Sequence, residues 1–448
     1  MNYEKLAKKL VQRAVTKGAD EAEVFLEVGR QSSCRVRDGE IEHLTEAMSK
    51  GMGLRVFVKG RLGFAYTSDF NEGSLNAFVD RALQLAEAAA PNKFNGLPSS
   101  TEVKGPRTKL SALYDSAVAN LASDWKIKAA LEAERAAKAV DPRIHAFDSV
   151  GAGDYVSEVF VASSAGLSDG YSGTYVYIYA SPVGSENGQL QTGTWMDYKR
   201  FLNELDSPEA IGREAGRRVV RMLGARKVKS QRVPVVFDPR MAAAFVSGIA
   251  GAANGDMVYK KSSVFAPLKG KKVASANVTI VDDGVLERGI STAPFDGEGV
   301  PTRKTAIISK GRLENFLYDA FTGRKAKARS TGNAERSYSS LPSIGLNNLY
   351  LEAGETSPEE IIRGVPDGFY VTSMLGRGAD PVTGDFSRGA NGLWIENGEL
   401  AYPVQEVTVA GNLLQMLKDV DAVGTDLEFR GSVAAPTLRF SELTVSGG

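Results

Sequence analysis

The chain has 448 residues, of which 43% are hydrophobic and 24% are charged, and its 54 Lys and Arg side chains are balanced by 54 Asp and Glu. A chain of this length predicts two or more domains. Zero net charge removes the electrostatic basis for tight nucleic-acid binding, because that affinity rests largely on counterion release by clustered Lys and Arg. We therefore expect no nucleic acid among its partners.

The N-terminal segment alternates charged and apolar residues and lacks the continuous apolar core of a signal peptide. No apolar run approaches the roughly 18 residues of a membrane span, so no membrane partner is expected. The single cysteine, Cys34, cannot form an internal disulfide. That composition fits a cytoplasmic location.

Helix and strand signals alternate through residues 1–150. Residues 3–15 place Leu6, Leu10 and Ala14 on one helical face, and Gly18 follows as a natural C-terminal cap. Period-two alternation around tight-turn pairs at residues 38–39 and 59–60 predicts strands and hairpins between residues 22 and 68. Helices are predicted over residues 72–89 and 111–140. This order predicts an N-terminal α/β domain with an antiparallel sheet and packed helices.

Strands and glycine turns dominate residues 151–448. Ser207 and Pro208 predict the start of one helix, and a strand at residues 229–237 leads directly into a second helix at about 239–254. Lys310-Gly311 and Asn397-Gly398 are strong two-residue turn signals. We expect a larger, mostly antiparallel β domain here, and an α+β fold for the whole chain.

Side chains suited to a catalytic zinc ion are scarce. Such a site normally takes three ligands, dominated by His, with Cys or a carboxylate as the third. The chain holds only His43, His145 and Cys34 of the first two types, and neither histidine lies in a His-Glu helical motif. We therefore expect no zinc ligand set in this chain.

Three patterns have both a catalytic and a structural interpretation. An acidic group could coordinate a hard cation, but its DDG and FDGEG contexts favour ordinary turns. Ser123 and Lys126 match the Ser-x-x-Lys pattern of serine acylases, yet without companion motifs and in a predicted surface helix, which favours chance. Cys34 could approach His43 across a hairpin, but nothing supplies a third group, which favours packing. The acidic group is Asp282, Asp283, Asp296 and Glu298.

Two further patterns concern small and aromatic residues. Residues 151–153 begin like a dinucleotide-binding loop but lack the third glycine, so we interpret them as a turn. Tyr175, Tyr177 and Tyr179 project from one side of a predicted strand. They could line a peptide groove, although aromatic strand faces more often form core or interface.

Several long blocks resemble the TldD/PmbA family, and within it the PmbA (TldE) branch. The resemblance covers nearly the full length of the chain. The most distinctive blocks are GADEAEVFLE at residues 18–27, GEGVPTRKTAIISKGRLENFLYDAFTGRKA at 297–326, and DFSRGANGLWIENGELAYPVQEVTVAGNL at 385–413.

The resemblance implies that this chain carries no catalytic residues. In the TldD branch, the helix after the strand holds His-Glu-x-x-x-His, and a later cysteine completes the zinc site. Counting back from the Gly-Asp pair at residues 255–256 places Val246, Ser247 and Gly251 at the three motif positions. Zinc and catalysis are therefore expected in a TldD-like partner subunit, with no cofactor in this chain.

The implied function is that of one subunit of a peptidase complex acting on unfolded or extended peptides. Family roles include leader-peptide removal, antitoxin degradation and, through these, DNA gyrase sensitivity. A dimer is expected, with the partner or with a second copy. The alternatives are an independent non-metal peptidase and a homodimeric protein that binds extended peptides.

Glycine-rich segments at residues 375–378 and 389–392 are expected near the active-site loops, since glycine lets backbone approach a ligand closely. The best candidates for a substrate-binding cleft wall are Arg388, Gly389 and Asn391.

Overall fold

The computed structural model describes residues 2–110, 112–376 and 378–447. In these ranges one large sheet forms within residues 21–199 and a second within residues 231–446, and helices pack against both. This arrangement confirms the predicted α+β fold. No helix of the described ranges combines the length and the apolar character needed to cross a lipid bilayer.

Long antiparallel strands build the first sheet, in the order β3-β2-β1-β4-β5-β6, with β7 also paired to β5. The hairpin turns predicted at residues 38–39 and 59–60 are present, with positive φ at all four positions. The strands are β1 (Glu21–Arg37), β2 (Glu40–Val58), β3 (Arg61–Thr67), β4 (Ile144–Ser163), β5 (Ser168–Glu186), β6 (Gln189–Thr192) and β7 (Trp195–Lys199).

Helices cover one face of this sheet. Apolar residues of the first two long helices pack on Val24, Leu26 and Leu54, and those of the next two pack on Cys34, Val150 and their neighbours. Residue 111, at the start of one predicted helical block, lies outside the described ranges. The helices are α1 (Tyr3–Thr16), α2 (Glu72–Ala88), α3 (Ser100–Val103), α4 (Ser116–Ala119), α5 (Ser123–Lys138) and α6 (Pro208–Val220), with a 3-10 turn at Leu202–Glu204.

The domain boundary predicted at residue 150 falls inside a strand of the first sheet. Val150 lies inside β4 and pairs with Val36 of β1 on one side and Ala180 of β5 on the other. The first sheet therefore continues to Lys199, and α6 still packs on it. The break between the two sheets lies between α6 and residue 231. Local alternation could not reveal this, because β1, which pairs with β4 on one side, lies far away in sequence.

The second sheet has the order β17-β16-β15-β8-β20-β18, and β17 also pairs with β20. It is mostly antiparallel, as predicted, but β8 and β15 run parallel. A smaller sheet has the order β11-β10-β9-β14-β19, and β12 pairs with β13. The strands are β8 (Gln231–Phe237), β9 (Ile280–Asp283), β10 (Lys304–Ser309), β11 (Arg312–Leu313), β12 (Ala334–Glu335), β13 (Ser343–Ile344), β14 (Asn348–Leu351), β15 (Asp367–Leu375), β16 (Asp385–Glu396), β17 (Glu399–Asn412), β18 (Val420–Val423), β19 (Val433–Ala434) and β20 (Leu438–Ser446).

The helix predicted at about 239–254 forms and ends two residues earlier. Its Phe245 packs edge-on against Phe440 and lies near Phe237 and Phe386, with ring centroids 5.3 to 6.3 Å apart. This contact anchors the helix to the core of the second sheet. The helices of this part are α7 (Pro239–Ala252), α8 (Gly255–Tyr259), α9 (Ala320–Ala326), α10 (Pro358–Arg363) and α11 (Leu413–Asp419).

Candidate functional site

Helix α7 follows β8 directly, and a buried carboxylate holds its start. Asp238 is the N-cap residue, and its side chain accepts a hydrogen bond from the Met241 N–H at 2.9 Å. Arg218, near the end of α6, lies 3.3 Å from the same carboxylate. Burial raises the pKa of Asp238, although the charge of Arg218 opposes that shift. The first turn of α7 is thereby joined to a helix of the first sheet.

The three residues that the resemblance places at the His, Glu and His positions of the zinc motif lie in different environments on α7. Val246 is 1% exposed and belongs to the core, whereas Gly251 is exposed, with nothing within 4 Å of the place a Cβ would take. Ser247 is half-buried. A valine side chain and a glycine hydrogen offer no lone pair to a metal, so these residues do not fit a zinc ion. Across the described ranges, no group of three or more His, Cys, Asp and Glu side chains is placed to hold a metal ion.

Cys34 and His43 do not form the hairpin pair considered from the sequence. Cys34 lies opposite Leu44 in the register of β1 and β2, and His43 lies opposite Arg35. Because opposed residues share a face and successive residues alternate, Cys34 and His43 project from opposite faces of the sheet. Cys34 is 2% exposed, and burial raises the pKa of its thiol. The packing interpretation of Cys34 is confirmed.

Ser123 and Lys126 occupy the first turn of α5 without forming an acylase pair. Lys126 is 1% exposed, which contradicts the predicted surface position. Its Nζ lies 2.6 Å from Asp154 Oδ2 and donates to the Leu121 carbonyl. Ser123 Oγ instead donates weakly to Glu46, at 3.4 Å. Lys126 therefore forms a buried ion pair with Asp154 of the first sheet.

The acidic group noted in the sequence is buried rather than displayed in solvent-exposed turns. Asp296 accepts three hydrogen bonds from backbone N–H groups at 2.9 to 3.0 Å, two of them inside its own turn, so the turn interpretation holds for this residue. Asp282 accepts from the side-chain amides of Asn333 and Asn347. Burial, reinforced by Glu298, raises the pKa of Asp296 to about 8. These carboxylates brace loops of the second part of the chain.

Stacked tyrosines occupy the face of the first sheet opposite its helices. Neighbouring rings have centroids 4.6 to 6.3 Å apart. Glycines on adjacent strands make room for them, since a Cβ on Gly153 would lie 2.5 Å from Tyr177 Oη. Residues 151–153 lie within β4 and pair with β1 and β5, so their interpretation as a turn is wrong. The tyrosines are Tyr155, Tyr175, Tyr177, Tyr179 and Tyr198.

A cavity of about 290 Å³ lies beside the first turn of α7, and we call it the arginine cavity. Arg218 and Arg221 reach it from the end of α6, and Arg240 reaches it from α7. Of the described residues that line it, none is acidic. Its neutral polar lining residues are Gln191, Thr192, Thr194, Thr372, Ser373 and Asn391.

A second cavity, of about 350 Å³, shares Arg218 and Arg240 with the first. The guanidinium groups of Arg218 and Arg430 both lie over the ring of Trp195, 4.0 and 4.7 Å from its centroid. Sequence reasoning missed Trp195 and the arginines of both cavities. The available signal was the run of arginines at residues 217, 218 and 221 near the end of a predicted helix, followed by Arg240 just inside the next helix.

The predicted cleft wall is only partly brought together. Arg388 donates to the backbone carbonyls of residues 374–376 at 3.2 to 3.4 Å, and so braces the end of β15. Gly389 faces Leu375, whose Cβ is 3.5 Å from the place a glycine Cβ would take. Asn391 alone of the three lines the arginine cavity, and its Oδ1 accepts from the Glu406 N–H.

Of the glycine-rich segment 375–378, Leu375 ends β15, and residue 377 lies outside the described ranges. Ala379 N comes within 3.9 Å of the place that a Cβ on Gly248 would take. The second segment, 389–392, lies within β16. Both segments therefore border the region around α7, at the end of β15 and in the strand paired with it.

The chain matches three consecutive domain descriptions of one family. PmbA/TldA metallopeptidase domain 1 matches residues 22–86, the central domain matches 118–223, and the C-terminal domain matches 230–447. The last two matches meet at the break between the two sheets.

Curated relatives cover nearly the whole chain. Metalloprotease PmbA of Escherichia coli O157:H7 is 29% identical over 429 residues, which are 96% of this chain and 93% of that protein. The PmbA homolog of Haemophilus influenzae is 30% identical over 433 residues, with the same coverage. The metalloprotease TldD homolog of Haemophilus influenzae is 26% identical over 453 residues, again with 96% and 93% coverage.

Solved structures show the same fold. A Bacteroides thetaiotaomicron protein named as a candidate modulator of DNA gyrase aligns with a TM-score of 0.92 at 28% identity, over 100% of both chains. TldE from Thermococcus kodakarensis aligns with a TM-score of 0.90 at 23% identity, over 99% of this chain and 100% of that one. With all three domains matched in order, the chain belongs to the PmbA/TldD metallopeptidase family, in its PmbA branch.

Proposed function

We propose that this chain is the PmbA/TldE-like subunit of a TldD/PmbA-type metallopeptidase complex that acts on unfolded or extended peptides. The zinc ion and the catalytic groups would belong to a TldD-like partner. The observation that carries the proposal is α7, where Val246 is core, Gly251 has no side chain and Ser247 offers a single hydroxyl. A chain with this helix contributes to the complex through binding and assembly rather than through bond cleavage.

Free strand edges support a role in holding extended peptides. Among the described strands, residues 40–50 of β2 pair only with β1, because β3 begins to pair at Met52. Apolar side chains are exposed along this edge, including Ile41, Leu44 and Met48. Strand addition binds a peptide through main-chain hydrogen bonds with little sequence preference. That property suits a degrader of disordered chains.

A second edge lies beside α7. Strand β8 pairs with β15 only at residues 369–371, whereas β15 continues to Leu375. Residues 372–374 of this extension line the arginine cavity. A peptide laid along it would pass close to the first turn of α7.

The substrates would be chains without stable structure, such as the leader segment of a peptide-antibiotic precursor or an unfolded antitoxin. Turnover of such proteins would alter DNA gyrase sensitivity indirectly. The zero net charge of the chain gives no reason for direct DNA contact.

The test compares the purified chain, a purified TldD-like chain and their mixture. Cleavage of an unstructured fluorogenic peptide and zinc content by elemental analysis are measured for each, with and without a chelator. We expect zinc and chelator-sensitive cleavage in the mixture, and neither in this chain alone. Size-exclusion chromatography with light scattering should show a complex of the two chains.

Two results would redirect the assignment. Chelator-insensitive cleavage by the isolated chain would establish an independent non-metal peptidase. A homodimer that binds peptide stably and does not associate with the TldD-like chain would establish the second candidate, a homodimeric extended-peptide-binding protein. The free edge of β2 favours that candidate.

A further inference from the structure

The arginine cavity concentrates positive charge where two parts of the fold meet. It draws on the end of α6, the β6–β7 turn, the first turn of α7 and the extension of β15. Glu214 on α6 and the N-cap Asp238 lie near its arginines, and both already pair with Arg218. Asp426 and Glu428 line the second cavity, but Glu428 pairs with Arg430 and Asp426 accepts hydrogen bonds from Thr437. The described lining of the arginine cavity itself therefore holds three guanidinium groups and no carboxylate.

Arg218 is committed to the fold. It lies 3.0 Å from Glu214 and 3.3 Å from Asp238, its side chain is 11% exposed, and it covers the ring of Trp195. These contacts hold its position, so Arg218 shapes the cavity rather than awaiting a ligand.

Within the described ranges, Arg221 has an unpaired hydrogen-bond donor. Its Nε is buried and has no hydrogen-bond partner among the described residues. A buried donor left without a partner costs roughly 1–3 kcal/mol, and more when it is charged. Burial, reinforced by the nearby charge of Arg218, lowers the pKa of Arg221. Arg221 also lines the cavity, so an anion bound there would lower the repulsion between the arginines.

Arg240 is placed at the solvent side of the same cavity. It is exposed, and its Nη1 donates to the Thr194 carbonyl at 2.7 Å. The remaining guanidinium donors are free to turn towards a ligand. Arginine presents a planar fork of donors that matches the two oxygens of a carboxylate.

We propose that the arginine cavity binds a carboxylate group of an extended peptide, supplied by its C-terminus or by an acidic side chain. At about 290 Å³ the cavity is at the small end of the range for ligand sites, which suits a peptide end or one side chain. Neutral polar groups such as Thr372, Ser373 and Asn391 are available for its main chain. This inference rests on the proposed function only in taking the ligand to be a peptide.

The experiment measures binding to the full chain by fluorescence anisotropy, with three labelled Gly/Ser/Ala hexapeptides. The first has a free C-terminal carboxylate, the second is its C-terminal amide, and the third is the amide with one internal Glu. We expect the first, the third or both to bind roughly 10-fold or more tightly than the neutral amide. The probe that gains affinity identifies the source of the carboxylate.

Variants locate the site. Arg221→Gln and Arg240→Gln should each lower the affinity for the favoured peptide by roughly 10-fold and leave the affinity for the neutral amide unchanged. Ser373→Glu should abolish the preference, because its carboxylate would occupy the cavity. Arg213→Gln is the matched control, since Arg213 lies on α6 in an exposed pair with Glu209. Because Arg240 is exposed, its variant and Ser373→Glu still decide the question if Arg221→Gln does not fold.

Equal affinity for all three peptides would overturn the proposal, as would unchanged binding in Arg240→Gln and Ser373→Glu. A third result would also overturn it, in favour of a phosphate site: inorganic phosphate binds the wild type, and the three peptides do not differ in affinity. These binding measurements do not depend on peptide cleavage. Failure of the mixture to cleave peptides would therefore count against the proposed function alone, and failure of these binding results would count against the cavity alone.

Discussion

Arg55 of β2 and Glu298 form an ion pair of 2.9 Å that joins the first sheet to the second part of the chain, and their side chains are 6% and 1% exposed. Arg55 also donates from Nε and Nη2 to the two carboxylate oxygens of Glu23, at 3.1 Å each. Arg336 pairs with the same glutamate. The first sheet and loops of the second part of the chain therefore share one buried set of charges, formed by side chains distant in sequence.

Replacing Arg55 with Met should lower the free energy of unfolding by roughly 3–5 kcal/mol, because it leaves Glu298 and part of Glu23 buried without their cation. Urea denaturation followed by tryptophan fluorescence measures the change. The control is Arg213→Gln, which removes an exposed pair and should cost below about 1 kcal/mol. Equal effects of the two substitutions would mean that the buried pair has no special role in stability.

The stability of the chain should fall as pH rises from about 5 to 8. Asp296 keeps its proton in the folded state up to its pKa of about 8, whereas in the unfolded chain it ionises near its ordinary value of 3.8. The folded state thus binds more protons in this window, and the slope for one such group reaches about −1.4 kcal/mol per pH unit. Burial raises the pKa of Asp282 as well, which acts in the same direction.

Urea denaturation of the wild type and of Asp296→Asn at pH 5, 6, 7 and 8 checks this. The variant should be less stable at pH 5, because an amide cannot reproduce all three accepted hydrogen bonds, and the difference should shrink towards pH 8. Parallel pH profiles for the two proteins would show that Asp296 does not carry the dependence.

Gly29→Ala should destabilise the chain by roughly 1–3 kcal/mol through overpacking, because the new Cβ would overlap the hydroxyl of Tyr155 on the neighbouring strand. Adding Tyr155→Ala should recover part of that loss, so the double variant is more stable than the sum of the single effects predicts. Gly73→Ala on α2 is the control, since nothing lies within 4 Å of its Cβ position. Additive effects of Gly29→Ala and Tyr155→Ala would contradict the contact.

Val246→His should cost roughly 2–4 kcal/mol, because it places a polar ring in the core, whereas Gly251→His should leave stability within about 1 kcal/mol of wild type. Thermal and urea denaturation compare the two variants on the same helix. Similar stability of both would indicate that α7 presents these positions to solvent alike.

Sequence patterns were sufficient wherever the controlling contacts are local. Lys310 and Asn397 adopt positive φ in the turns predicted for them. Ser207 caps α6 through a hydrogen bond from the Ala210 N–H at 3.2 Å, with Pro208 at the first helical position. Each of these signals involves residues within a few positions of one another, so no knowledge of the fold was needed.

Prediction failed where distant segments decide the environment. The pattern around Lys126 predicts a helix surface, but Lys126 pairs with Asp154 of β4 in the interior. The change of pattern near residue 150 predicts a boundary, but pairing with β1 and β5 continues through that residue. Of the predicted cleft wall, Asn391 lines the arginine cavity, whereas Arg388 donates its hydrogen bonds to the backbone carbonyls of residues 374–376.

The amino-acid inventory, with two histidines and one cysteine in 448 residues, is visible without any fold, as are the alternation, turns and caps that set the secondary structure. That Val246 is core while Gly251 is exposed, and that Arg218, Arg221 and Arg240 meet in one cavity, follows from the packing of the folded chain. The reason is physical: turns and caps form within a few residues, whereas burial and the convergence of charges depend on how segments far apart in the chain pack together.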